Sequence, residues 1–87
     1  MERSREVVNL SDRITAAQAR MARAALEWSL DQAAAATGVS RRTVLRLEQG
    51  ETLQARNVAA IREGYEAAGV EFLTTAGGAK AVAALNK

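Results

Sequence analysis

Apolar side chains recur along most of this chain at the three- and four-residue intervals of amphipathic helices, and near the C-terminus the period shortens to two. The first helical stretch runs from Thr15 to Glu27 or Trp28, with Met21, Ala22, Ala25 and Leu26 on its inner side and Thr15 and Gln18 at capping-box spacing. A second begins at Leu30, where Ser29 can accept a backbone N–H and Asp31 places negative charge at the positive end of the helix dipole. It continues through four alanines to Thr37, and Gly38 suits the left-handed residue that closes a helix. Val39 plugs the angle, Ser40 caps a third helix over Arg41 to Gln49, and Gly50 ends it. Glu51 to Ala55 reads as a linker. Val58, Ile61, Tyr65 and Ala68 then mark a fourth helix from Arg56 to Ala68, stopped by Gly69.

Beyond Gly69 the pattern changes. Val70 to Thr74 alternates apolar and polar residues, and Gly77-Gly78 offers a turn before Ala79 to Leu85. Residues 79–86 fit a second strand by this register and a short fifth helix by their alanine content. Before Thr15, residues 1–14 are charged and poorly periodic, with Val7, Val8 and Leu10 admitting a short strand, and a mobile arm is expected. Arg3 and Arg5 in it are basic side chains of the kind that reach phosphates or a minor groove. The fold class is therefore mainly α: four to five helices, with the body at 15–69 and an extension at 70–87 that is a small β-hairpin or helix.

Size and composition narrow the reading. A chain of 87 residues is one small domain, able to bury only about 60% of its unfolded surface. Trp28, Tyr65 and Phe72 are its three aromatics, and alanine supplies much of the apolar fraction, which favours closely approaching helices. Without cysteine or histidine it can form neither a disulfide nor a thiolate zinc site, and no Ser-His or Cys-His nucleophile pair can be assembled. No enzymatic activity and no metal or other cofactor is expected. No segment approaches the roughly 20 apolar residues of a membrane span, so a soluble cytoplasmic protein is expected.

Net charge is only +2, a weak signal for a polyanion partner, but its distribution is informative: three arginines and no acid lie between Arg41 and Arg46. Projected at roughly 100° per residue, Val44 and Leu47 fall on one side of the third helix with Glu48 at its edge. Arg42, Arg46 and Gln49 fall on the other, with Arg41 and Thr43 near the free N-terminal end. Such a face suits a DNA major groove, where Arg pairs with guanine O6 and N7 and Gln with adenine N6 and N7.

The stretch from Trp28 to Gly50 resembles the helix-turn-helix of the Cro/repressor-type (XRE) family of phage and bacterial regulators, whose motif has the form W-S-Q-x-x-L-A-x-x-x-G-V-S-x-x-T-I-x-x-x-E-x-G. Here it stands as Trp28, Ser29, Leu30, Ala33, Ala34, Gly38, Val39, Ser40, Thr43, Val44, Glu48 and Gly50, within a resemblance spanning roughly residues 14–73. Leu30 stands where the family usually has a Gln that clamps a phosphate, and Ala33 where it usually has a larger Leu. The resemblance implies a compact repressor-like domain, an ion pair between Arg23 and Glu48, Trp28 as an apolar plug, and strands rather than a helix in the tail.

It also implies a sequence-specific regulator binding double-stranded DNA. Arg41, Arg42, Thr43 and Arg46 are then the direct-readout candidates, Gln49 is peripheral, and Ser29, Ser40 and Arg56 are candidates for phosphate contacts. A symmetric homodimer joined through the segment after Gly69 is expected. One recognition helix reads few base pairs, and Val70, Phe72, Val82 and Leu85 are hard to bury against so small a body. The alternative is an antitoxin-like protein-binding module whose tail docks on a protein partner while the helix-turn-helix serves autoregulation.

Overall fold

The computed structural model describes residues 13–84. Four helices, α1 (Ala16–Leu26), α2 (Leu30–Thr37), α3 (Arg41–Glu48) and α4 (Ala55–Ala67), are followed by strands β1 (Val70–Thr74) and β2 (Lys80–Ala84). The strands form an antiparallel hairpin in which Phe72 pairs with Val82 and Leu73 with Ala81. The tail is thus a hairpin, and of the two readings of residues 79–86 the strand holds through Ala84. The pairing satisfies the backbone groups that face the partner strand, and the turn adds a hydrogen bond from the Ala79 N–H to Thr75 Oγ1 at 3.0 Å. Val7, Val8, Leu10, Arg3, Arg5 and Leu85 lie outside the described residues, whereas Ile14, expected to end the arm, is 5% exposed and belongs to the core.

Each of the first three helices begins on a side chain that accepts a backbone N–H. Thr15 and Gln18 form a reciprocal capping box on α1, as do Ser29 and Gln32 on α2, and Ser40 caps α3 by accepting the Thr43 N–H. α1 stops at Leu26, one or two residues short of the expected end at Glu27 or Trp28, because Glu27 turns left-handed at φ 59° and lets the Trp28 N–H reach the Arg23 carbonyl. Gly38 closes α2 at φ 80°, the conformation its position in the turn requires.

The inner face of α1 differs from the one its apolar residues suggest. Gln18, Ala19 and Ala22 are buried, while Met21 and Ala25, expected inside, are exposed. The helix is rotated because Gln18 has a second task. Its Oε1 accepts the Thr15 N–H at 3.0 Å, and its Nε2 donates to the Leu73 and Ala81 carbonyls at 3.1 and 2.9 Å, tying α1 to both strands. With Val70 2% exposed and Phe72 and Val82 packed against the core, the hairpin is covered by its own chain at these three positions, contrary to the expectation of a poorly buried tail. Alternation aims their side chains to one side of the sheet, and α1, whose buried apolar residues are alanines, admits β2 closely.

The three aromatics form one run through the body. Trp28 and Tyr65 have ring centroids 5.9 Å apart, Tyr65 and Phe72 6.4 Å, and the Arg62 guanidinium sits 5.5 Å above the Phe72 ring. Tyr65 is fully buried, and its hydroxyl has no hydrogen-bond partner among the described residues. Burial pushes its pKa up to about 12, helped by the nearby Glu48 charge and opposed by Arg23.

α4 passes α2 closely at Gly64, where a Cβ would lie 2.7 Å from Thr37 Cγ2 and 2.9 Å from Thr37 Cα. Thr37 is itself fixed, its hydroxyl donating to the Ala33 carbonyl at 2.8 Å. Gly64→Ala is therefore expected to destabilise the fold by about 1–3 kcal/mol through overpacking, despite alanine's better helix propensity; a stability equal to or above wild type in urea unfolding would contradict this close approach.

Candidate nucleic-acid interface

α3 is set into the body by three residues, Val44, Leu47 and Glu48, all buried. The first two are apolar. Glu48, only 5% exposed, is held as an ion: Arg23 Nε donates to Oε2 at 2.6 Å and Arg23 Nη2 to Oε1 at 2.9 Å, a two-point fork that matches guanidinium to carboxylate. This bond raises the Arg23 pKa above its ordinary value, although burial opposes it. Arg23 Nη1 also donates to the Trp28 carbonyl at 3.1 Å, and Arg20 Nη1 donates to the Glu48 carbonyl at 2.7 Å. Two arginines of α1 thus grip both the side chain and the backbone of one residue at the end of α3.

With that side fixed inward, the rest of α3 faces out. Arg42, Leu45, Arg46 and Gln49, with Glu51 beyond the helix, line one open concavity on its outer side. Arg41, Arg42 and Gln49 are exposed, and Thr43 and Arg46 partly so. Ser40 and Thr43 stand together at the N-terminal end, their hydroxyl oxygens 2.8 Å apart. The side-chain oxygens of Ser29 and Ser40 accept the cap N–H groups; the Ser29 hydroxyl keeps a proton to donate to a phosphate, and Ser40 and Thr43 share one hydroxyl–hydroxyl bond that leaves one of the two a proton to donate. Arg56 is exposed in the first turn of α4, and no hydrogen bond or ion pair among the described residues ties it to α3.

Two carboxylates in this region went unnoticed as partners in the sequence. Asp31 Oδ1 lies 3.2 Å from Arg41 Nε, bringing the first turns of α2 and α3 together, and Glu51 Oε1 lies 2.7 Å from Arg46 Nε. Arg42 makes no ion pair among the described residues. The Glu51 contact carries a faint sequence signal, since a residue directly after a helix-closing glycine is folded back over the last turn. Leu45 was also missed, because its apolar side chain carries no recognition chemistry beyond contact with a thymine methyl group.

This geometry defines a helix-turn-helix: α2, a short turn, and α3 anchored on one side and presenting a cationic, amide-bearing face on the other. Residues 15–73 match the family described as Helix-turn-helix domain, and the chain belongs to that family, a DNA-binding class. Comparison with curated proteins finds no match, and comparison with solved structures finds none either. Among the described residues no helix is long and apolar enough to cross a membrane.

The exposures of the central pair differ, 27% for the Arg23 side chain and 5% for Glu48, so removing either partner has unequal consequences. Arg23→Ala strands a buried carboxylate and is expected to cost about 3–5 kcal/mol. Glu48→Ala leaves a guanidinium that can turn to water, and is expected to cost less. Chemical denaturation of both single mutants and the double mutant checks this: the double mutant should lose much less than the sum, and additive losses would show that the pair does not act as one interaction.

Arg42→Ala and Arg46→Ala should both leave thermal unfolding near wild type, because neither side chain enters the core. Each should weaken DNA binding. A base contact costs about 1–3 kcal/mol and relaxes preference at one base pair, whereas a phosphate contact weakens all sequences alike and lowers the salt slope by about one unit. Fluorescence anisotropy with labelled duplexes across a salt series separates the two, and unchanged affinity in both variants would refute the assignment of α3 as the reading helix.

Proposed function

We propose that the protein is a sequence-specific transcriptional regulator of the Cro/repressor (XRE) type that reads double-stranded DNA in the major groove with α3. The observation that carries this reading is the single open face bearing Arg42, Arg46 and Gln49 on a helix whose opposite side is buried and clamped through Glu48. Arg41, Arg42, Thr43 and Arg46 serve as base-reading side chains, with Gln49 at the periphery, and Ser29, Ser40 and Arg56 bind phosphates. The Leu at position 30, where relatives carry a phosphate-clamping Gln, leaves Ser29 and the α2 N-terminus to supply that contact.

The protein acts as a symmetric homodimer. One helix reads too few base pairs for a useful specificity ratio, and two helices on half-sites roughly 34 Å apart supply it. The described residues contain two exposed large hydrophobics, Met21 at 36% and Leu73 at 37%. Met21 is one turn along α1 from Gln18, whose amide bonds the Leu73 carbonyl, so the two residues stand on a helix and a strand that are joined directly. A two-fold partner covers such a surface without any change in the domain itself.

Selection of bound sequences from randomised duplex DNA tests binding and symmetry together. An inverted repeat with half-sites about one helical turn apart is expected; no enrichment would remove the DNA-reading function, and an asymmetric site bound by one copy would remove the dimer. Light scattering on the full chain should give a dimer, and Leu73→Asp should give a folded monomer by circular dichroism with about tenfold or weaker operator affinity.

A further inference from the structure

We infer that Glu51 is a positioning residue that sharpens base discrimination by Arg46, an inference that rests on the DNA-reading function proposed above. The end of α3 closes in a Schellman arrangement. Gly50 is left-handed at φ 89°, its N–H donates to the Leu47 carbonyl at 3.0 Å, and the Glu51 N–H donates to the Arg46 carbonyl at 3.0 Å. This closure returns Glu51 to the level of Arg46, and the Glu51 carboxylate accepts from Arg46 Nε at 2.7 Å. Backbone and side chain therefore tie the same two residues, five positions apart in the chain.

The bond uses Nε and leaves Nη1 and Nη2, the outer edge of the guanidinium, out of the pair, and Arg46 lines the concavity together with Arg42, Leu45, Gln49 and Glu51. A planar fork held by one edge presents the other in a defined direction, and a two-point fork of this kind matches guanine O6 and N7. An unbraced arginine samples many rotamers and reaches phosphates or neighbouring bases as readily as its own. A carboxylate on this face also repels the phosphate backbone of every sequence alike, lowering the affinity shared by right and wrong sites.

Glu51 is no support for folding. The side chains of the pair are 43% and 47% exposed, and a solvated pair of this kind contributes little to stability. An acid that costs general DNA affinity and adds little stability, yet is held against a base-reading arginine by two hydrogen bonds, acts on the difference between sequences.

The test uses the full-length protein and the duplex selected by it. The base pair read by Arg46 is defined as the one at which Arg46→Ala loses preference, and all four base pairs are placed there in turn. Glu51→Ala is expected to bind random duplex about threefold more tightly, as a repulsive charge is removed, and to lose about tenfold in discrimination at that base pair alone. Glu51→Gln, which keeps an oxygen to accept from Nε, should show the same gain on random duplex while recovering most of the discrimination. Full discrimination in Glu51→Ala, at a position where Arg46→Ala abolishes it, would overturn the role of Glu51 and leave α3 as the reading helix. A loss spread evenly over all positions would likewise overturn it, by showing that Glu51 supports α3 and does not orient Arg46. If Arg46→Ala leaves every preference intact, Arg46 reads no base, and the inference falls for that separate reason.

Discussion

A buried glutamate gripped by two arginines, its carboxylate by Arg23 and its backbone carbonyl by Arg20, is the constraint on which the rest of this structure depends. Glu48 cannot stay ionised at 5% exposure without compensation, and the fork from Arg23, with two short hydrogen bonds, supplies it. The same guanidinium holds the Trp28 carbonyl where α1 gives way to α2, and Arg20 takes the Glu48 carbonyl. One cluster thereby sets α1 against α3 and fixes the start of the helix-turn-helix. With Glu48 directed inward beside Val44 and Leu47, the arginines of α3 have only the outer side left to them.

The remainder of the body is held with little bulk. Alanines at 19, 22 and 33 are fully buried, and Gly64 lets α4 approach Thr37 to a distance that a methyl group would violate. Closely spaced helices leave one line of larger volume, filled by Trp28 from the α1–α2 connection, Tyr65 from α4 and Phe72 from β1. Tyr65 at the centre of that line is buried to its hydroxyl. Gln18 adds a polar fastening at the edge, where one amide serves both the cap of α1 and the carbonyls of two strands.

Charge on the outer face is arranged more sparingly than a count of arginines suggests. Arg41 and Arg46 each carry a carboxylate partner before DNA arrives, and Arg42 has none among the described residues. Association with a polyanion is then partly an exchange of partners. On the function proposed above, such an exchange would lower the affinity shared by all sequences while fixing the direction of individual side chains.

Much of the fold was legible in the chain because its signals are local. Caps at Thr15, Ser29 and Ser40, the left-handed Gly38, and the change of period after Gly69 concern residues within a few positions of one another, and local chemistry decides them. The same holds for the division of α3 into a buried side and a cationic side, which follows from helical periodicity alone. What only the tertiary structure decided involves contacts between distant parts of the chain. The rotation of α1 came from a glutamine bonding strands 55 and 63 positions away, the full burial of Tyr65 from packing between distant parts of the chain, and cover for Phe72 and Val82 from the packing of the hairpin on the body. Pattern rules assign a side chain to the inside by its own polarity. They misplace Met21, Ala25 and Gln18 because a polar group with every bond satisfied can be buried in preference to an apolar one.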